Sequence, residues 1–113
     1  DFILSPAYAG PPEVPGESKY WGYTSLWNLV DYPNLTFPTP IQHDAAKDAQ
    51  VPSLRDNEFE KMHWNDEAGK IRYDPKNYAG GYIALQLTGP RFQDEHVIAA
   101  AELITKSLAI VRR

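Results

Sequence analysis

Residues 80–113, GGYIALQLTGPRFQDEHVIAAAELITKSLAIVRR, decide the fold. Two glycines open this stretch, and the near-continuous apolar run at residues 82–87 predicts a buried strand. A Thr-Gly-Pro turn follows. Asp94 is the predicted cap of a helix over residues 95–111, in which apolar residues recur at helical spacing. The apolar stripe of this helix comprises Val97, Ala101, Ile104, Leu108 and Val111.

Three shorter elements are predicted closer to the N-terminus. Residues 2–5 are an apolar run, which indicates a strand. Residues 20–31 show helical spacing of apolar side chains, with Thr24 or Ser25 as a cap near the start. Residues 35–37 indicate a second strand. A proline follows each of these elements and blocks its continuation.

Residues 38–79 are polar and predict a long loop or insertion within a single domain formed by residues 1–113. A short helix at residues 57–63, capped by Asp56, is expected inside it. The order of elements predicts an α/β fold with a partial sheet of about three short strands, two main helices and this loop. A narrow parallel sheet needs cover on both faces and leaves two open edges. Self-association or packing on further polypeptide is therefore expected.

Composition excludes several classes of function. The chain has 113 residues, 42% of them hydrophobic, and a formal charge of −4, so nucleic acid is not an expected partner. It contains no cysteine, which rules out disulfides, thiolate nucleophiles and cysteine-based zinc sites, and weakly favours the cytoplasm. No apolar run approaches the roughly 20 residues of a membrane span. No cofactor is indicated, and a small molecule is the expected ligand.

Two histidines are candidates for acid–base chemistry. His43 precedes an aspartate, and His63 is followed closely by acidic residues, an arrangement in which imidazole acts as a general base near neutral pH. The alternative is that both histidines are solvated side chains in a polar loop, without a catalytic role. A metal site is not predicted, because the spacing of these histidines and the acidic residues matches no known ligand motif.

Three blocks carry a family resemblance. They are DFILSP at residues 1–6, YWGYTSLWNLVDYP at residues 20–33, and YDP at 73–75 together with IALQLTGPRFQDE at 83–95. In order and spacing they resemble the C-terminal region of the amidase signature family, in particular its acetamidase-like members from fungi. The resemblance spans the whole chain.

The resemblance implies both an absence and a role. The family hydrolyses amides with a serine nucleophile, a bridging serine and a lysine that all lie upstream of the matched region, and none of the five serines here has a Gly-Ser-Ser context. These residues alone are thus not expected to cleave amides. In the family, the region matching residues 20–28 lies near the active-site cavity. The implied substrate-binding residues are Tyr20, Trp21, Tyr23, Thr24 and Trp27.

Three hypotheses remain open from the sequence. The first is the C-terminal portion of an amidase-family hydrolase, which contributes a wall of the substrate pocket. The second is a truncated relative that binds a small molecule or a partner. The third is a truncated relative that works as a non-hydrolytic enzyme of the cyclase or isomerase type, with His43 or His63 as acid and base. The second and third require an oligomer.

Overall fold

A computed structural model describes residues 1–49 and 58–111 of the chain. Within these residues the chain forms three strands, three α-helices and one 3-10 turn, which confirms an α/β fold with a small sheet. In chain order they are β1 (Ile3–Pro6), α1 (Gly22–Val30), β2 (Asn34–Gln42), α2 (Glu58–Trp64), the 3-10 turn Pro75–Tyr78, β3 (Tyr82–Thr88) and α3 (Asp94–Val111).

The three strands form one sheet in the order β1-β3-β2, so the last strand of the chain lies in the middle. Both pairings are antiparallel, with Leu87 of β3 opposite Leu4 on one side and Leu35 on the other. The expectation of a parallel sheet is therefore wrong. The two faces of an antiparallel sheet need not be covered equally, and here α3 packs closely on one face while α1 lies on the other.

Strand β2 is longer than the sequence indicates. The prediction ends it at Phe37, but the strand continues through two prolines to Gln42, with an irregularity between Pro38 and Gln42. Because β2 lies at the edge of the sheet, a proline that lacks its N–H costs no hydrogen bond on the open side. The Thr39 hydroxyl, which is buried, donates to the carbonyl of Ile83 at 2.8 Å and helps to hold this half of the strand.

The hydrophobic core lies on one face of the sheet, beneath α3. Phe37 and Leu87 of the sheet pack against Val97 and Ala101 of the helix, with Ile104 among the partly buried neighbours. The predicted stripe of α3 is confirmed at these positions. The predicted cap is wrong by one residue. The first intrahelical bond runs from the Val97 amide to the carbonyl of Gln93, so Asp94 lies in the first turn, where its charge favours the helix dipole.

Gly89 sits where β3 turns towards α3. A Cβ atom at this position would lie 2.5 Å from Cγ2 of Val97 and 3.2 Å from the Phe2 ring, so only glycine lets the chain pass this close to the helix. Because Gly89 has no side chain, the turn can pass close to Val97 without disturbing the core.

We expect Gly89→Ala to lower the free energy of unfolding by about 1–3 kcal/mol, because the new methyl group displaces Val97 from the core. Urea unfolding followed by far-UV circular dichroism measures the change. Gly10→Ala is the control, since a Cβ there would meet Trp64 at an ordinary 3.5 Å. Equal losses of unfolding free energy in the two variants would contradict the conclusion that Val97 packs too closely to Gly89 for a side chain there.

The other face of the sheet carries α1, which is attached by polar contacts. Gln86 of β3 is fully buried, and its Nε2 donates to the carbonyl of Pro6 at 2.8 Å and to the carbonyl of Tyr23 at 2.6 Å. One amide thus joins the central strand to β1 and to α1. No residue of α1 is itself buried.

The start of α1 differs from the sequence prediction in its capping, and its end is closed from another segment. Trp21 occupies the cap position with no side-chain hydrogen bond, whereas the sequence indicated Thr24 or Ser25. At the other end, Arg91 donates to the carbonyl of Val30 through Nη2 at 2.8 Å and through Nε at 3.1 Å. A residue from the turn before α3 therefore closes the C-terminus of α1.

The region predicted as a long loop, residues 38–79, contains folded elements. It includes the second half of β2, α2 and the 3-10 turn Pro75–Tyr78. The predicted short helix is confirmed as α2, while its expected cap Asp56 lies outside the described residues. Asp66 closes the hairpin-like turn after α2, since its Oδ1 accepts from the amides of Ala68 and Lys70 at 2.9 and 2.8 Å.

Candidate functional site

Tyr20, the first of the aromatic residues predicted to line a substrate pocket, lies just before α1. The ring of Tyr20 meets that of Tyr23 edge-on, with 5.8 Å between centroids. Phe59, from α2, meets Tyr20 at 4.5 Å in the same manner. Trp21 is 65% exposed. The structure thus joins Tyr20 and Tyr23 in one cluster and adds Phe59, a residue distant in sequence for which no local pattern gave a signal.

The other predicted pocket residues lie apart from this cluster. The exposed hydroxyl of Thr24 donates to the carbonyl of Trp21 at 3.2 Å, within the first turn of α1. Trp27 is half-buried, and its Nε1 has no hydrogen-bond partner among residues 1–49 and 58–111. Neither Trp21 nor Trp27 takes part in a ring contact within residues 1–49 and 58–111. Of the five predicted residues, Tyr20 and Trp21 thus precede α1, whereas Tyr23, Thr24 and Trp27 lie within it.

Helix α1 presents a large uncovered apolar surface. Leu26 is 48% exposed and Leu29 is 82% exposed, alongside the exposed rings of Trp21 and Tyr23. A soluble surface helix normally buries such a stripe. The exposure shows that α1 carries apolar contact area that the described residues leave unused.

His43 occupies a different place, at the end of β2. It is 8% exposed, and its Nε2 lies 2.8 Å from the Tyr73 hydroxyl. That hydroxyl in turn donates its only proton to the carbonyl of Asp48 at 2.7 Å. Nε2 of His43 therefore donates to the Tyr73 hydroxyl oxygen. Nδ1 is buried without a hydrogen-bond partner within the described ranges.

A cleft of about 480 Å³ opens beside His43, and we call it the His43 cleft. Residues 9–11 of the N-terminal segment form one side, and Trp64 and Tyr73 form another. Ile83 of β3 also lines it. Burial raises the pKa of Tyr73, so its hydroxyl keeps its proton at neutral pH.

A buried ion pair joins distant parts of the chain. The Glu13 side chain is 7% exposed and the Arg72 side chain 12% exposed, with 3.3 Å between Oε1 and Nη2. Arg72 also donates to the carbonyl of His63 from Nη2 at 2.9 Å and from Nε at 3.1 Å. Tyr8 and Tyr78 each donate a weaker bond to the Glu13 carboxylate. The N-terminal segment is thereby fastened to α2 and to the 3-10 turn.

His63 lies against this ion pair and is 1% exposed. Nε2 is 3.7 Å from Oε1 of Glu13, and neither ring nitrogen has a hydrogen-bond partner in the described part of the chain. Burial is the main cause of a lowered pKa at His63; the charge of Glu13 opposes this shift and that of Arg72 adds to it. His63 is therefore a neutral core residue at physiological pH.

Ring contacts connect the two histidines through a continuous aromatic cluster. His63 meets Trp64 edge-on at 4.5 Å, Trp64 meets Tyr73 at 5.5 Å, and Tyr73 stacks on Tyr78 at 5.5 Å with 13° between planes. His43 completes the series at 5.9 Å from Tyr78. This second core is built from polar aromatic residues, so a search for aliphatic periodicity does not detect it.

We expect Glu13→Gln to reduce the free energy of unfolding by about 3–5 kcal/mol, since it leaves the Arg72 guanidinium buried without its counter-charge. Glu17→Gln is the matched control. Glu17 contacts the same guanidinium at 3.1 Å, but its side chain is 51% exposed, so the loss there is expected to be at most about 1 kcal/mol. Chemical denaturation at pH 7 compares the two variants, and a larger loss in Glu17→Gln would overturn the assignment.

Stability is also expected to depend on pH through His63. Because burial lowers the pKa of His63 below its ordinary value of 6.5, the unfolded chain takes up that proton more readily than the folded chain. The free energy of unfolding should fall as the pH is lowered through 6.5, by up to about 1.4 kcal/mol per pH unit.

Urea midpoints between pH 7.5 and 5 would measure this slope. His63→Gln is expected to flatten it, and His96→Gln, at an exposed position in the first turn of α3, to leave it unchanged. A slope that survives in His63→Gln would show that another group carries the proton linkage.

Within residues 1–49 and 58–111 no group of three acidic or histidine side chains is placed to hold a metal ion. In the same residues, no helix combines the length and the apolar character needed to cross a bilayer. No serine hydroxyl there is hydrogen-bonded to a basic side chain; Ser107, for example, donates to the carbonyl of Leu103. The described residues thus contain no assembled nucleophile.

Comparison with known proteins gives the family. A Schizosaccharomyces pombe protein whose name assigns it to the amidases is 36% identical over 108 residues, which are 96% of this chain and 19% of the relative. An acetamidase of Aspergillus oryzae is 29% identical over 108 residues, again 96% of this chain and 19% of the relative. A solved structure of a fatty acid amide hydrolase superposes with a TM-score of 0.76 at 37% identity, over 96% of this chain and 19% of that one.

The chain is a relative of the C-terminal region of amidase signature enzymes. The resemblance read from its three sequence blocks is confirmed. The chain spans about a fifth of the length of the curated relatives it matches. No protein-family model matches it.

Proposed function

We propose that these residues form a wall of the substrate pocket in an amidase-family hydrolase whose nucleophile lies in other polypeptide. The observation that carries the proposal is the uncovered apolar and aromatic surface of α1. An amide with an apolar acyl group is the substrate class that such a surface fits, because aromatic rings offer rigid apolar area together with polar tips.

The total exposed surface supports contact with further polypeptide. The chain exposes 8013 Å², whereas a compact protein of 12.8 kDa is expected to expose roughly 6300 Å². Part of the excess lies on β1, where Ile3 is 49% and Leu4 51% exposed. As an edge strand, β1 also offers unpaired backbone groups to a neighbouring strand. We infer that β1 and α1 face the rest of the enzyme.

A second candidate is a small-molecule binding module that works as an oligomer of this chain. The His43 cleft favours it, because that cleft is formed entirely by residues of the chain itself. Sedimentation tests this candidate: self-association is expected if copies of the chain cover the exposed strand and helix, and a monomer at high concentration would count against it.

We expect Trp21→Ala, in the amidase that contains these residues, to raise KM for amides with long acyl groups by about tenfold. The reason is the loss of apolar contact area from an exposed ring that the fold does not need. Trp21→Phe should restore most of the affinity, and short amides such as acetamide should be less affected.

Steady-state kinetics over a series of acyl lengths measures this dependence, with Lys106→Gln, an exposed position on α3, as the control. A KM that is unchanged at every acyl length would show that Trp21 does not contact the substrate.

A further inference from the structure

Gln86 is fully buried in the middle strand of the sheet, between two leucines, on the face that carries α1. We propose that Gln86 is a positioning residue, which fixes the first turn of α1 and thereby sets the preference of the substrate wall for long acyl groups. This inference rests on the function proposed above, and it adds a residue that acts through the helix rather than by touching the substrate.

The two hydrogen bonds of Gln86 determine how its amide is oriented. Nε2 donates to the carbonyl of Pro6 at 2.8 Å and to the carbonyl of Tyr23 at 2.6 Å, so both amide protons are used. A reversed amide would set Oε1 against two carbonyl oxygens, which repel it. Oε1 is instead buried without a hydrogen-bond partner in residues 1–49 and 58–111.

Stability alone does not favour a side chain with this arrangement. The amide oxygen of Gln86 costs free energy, because no hydrogen bond in the described part of the chain replaces the water that it loses on burial. A leucine or methionine in the middle strand would avoid that cost. The glutamine is explained if its bond to the Tyr23 carbonyl, which no apolar side chain can make, holds α1 in place.

Hydrogen bonds matter for the position of α1 because packing does little to hold it. No residue of the helix is buried, so it gains little free energy from burial. The amide of Ser25 donates to the carbonyl of Trp21 at 2.8 Å, which closes the turn that contains Trp21 and Tyr23. Gln86 holds this turn, whereas Arg91, with half of its side chain exposed, holds the last turn. The buried attachment therefore lies at the end of α1 that carries Trp21.

Gln86→Met tests the proposal in the amidase that contains these residues, because methionine is similar in length but has no N–H donor. We expect KM for amides with long acyl groups to rise about 3- to 10-fold, since the wall loses its alignment with the substrate. The kcat values, and KM for acetamide, should change less than twofold. Steady-state kinetics over a series of acyl lengths measures both.

Thr39→Val is the matched control. It also removes a hydrogen bond made by a buried side chain of the sheet, from the Thr39 hydroxyl to the Ile83 carbonyl at 2.8 Å, but this bond joins β2 to β3 and does not reach α1. We expect Thr39→Val and Gln86→Met to lower Tm by similar amounts. Thr39→Val should nevertheless leave KM unchanged at every acyl length.

Hydrogen exchange measured by mass spectrometry follows the helix itself, without substrate. We expect the amides of residues 22–30 to exchange about 3- to 10-fold faster in Gln86→Met, because the first turn of α1 has lost its attachment, and those of residues 94–111 to be unchanged. Gln86→Asn keeps the amide but is one methylene shorter. It should give the same pattern with a smaller amplitude, and it serves as the test should Gln86→Met fail to fold.

A double variant shows whether Gln86 acts through the turn that carries Trp21. Trp21→Ala combined with Gln86→Met should give no larger KM than Trp21→Ala alone, because the ring that Gln86 positions is absent. If each single change raises KM and the two factors multiply in the double variant, Gln86 acts separately from that turn and the proposal fails.

Two further results would overturn the role of Gln86: unchanged exchange in residues 22–30, and a KM that rises equally at every acyl length. The substrate wall is judged separately. A raised KM in Trp21→Ala but not in Gln86→Met would uphold the wall and overturn the role of Gln86. A KM that rises with acyl length in Gln86→Met but not in Trp21→Ala would uphold Gln86 and overturn only the contact of Trp21.

Discussion

The Glu13–Arg72 ion pair joins the N-terminal segment to the residues that follow α2. It links residues that are 59 positions apart, and the same guanidinium grips the carbonyl at the end of α2. Two nearly buried charges are stable here because each has several hydrogen-bond partners from separate segments. The neutral ring of His63 and the aromatic cluster beside it pack around this pair. Loss of the pair would remove the charged contact between the N-terminal segment and the residues that follow α2.

The molecule divides into three regions with different kinds of packing. A hydrophobic core of Phe37 and aliphatic side chains lies on the face of the sheet beneath α3. The second core, around the ion pair, is aromatic and polar. The surface formed by α1 and β1 is apolar but uncovered. The chain spans about a fifth of the length of its relatives, and it is this third region that we propose to contact substrate or further polypeptide.

Local patterns in the sequence predicted the positions of helices and strands well, and the contacts between residues distant in sequence poorly. The strand at β3 and the stripe of α3 were predictable because burial imposes a period on neighbouring residues. The length of β2 was not predictable. A proline ends a strand only where the sheet needs a backbone N–H at that position, and this depends on which edge of the sheet is open. Of the residues in the described clusters, Tyr20 and Tyr23 were named from the family resemblance, and His43 and His63 from their acidic neighbours in the sequence. Glu13, Arg72 and Phe59 were missed, because their partners are distant in sequence.

The way α1 is fastened has an evolutionary consequence. Gln86 and Arg91 both hold the helix by main-chain carbonyls, at Tyr23 and at Val30. Every residue type presents the same carbonyl, so the outward side chains of α1 are free to diversify while the attachment stays constant. Descendants of one ancestral scaffold can thereby acquire new preferences at this helix without any compensating change in the sheet.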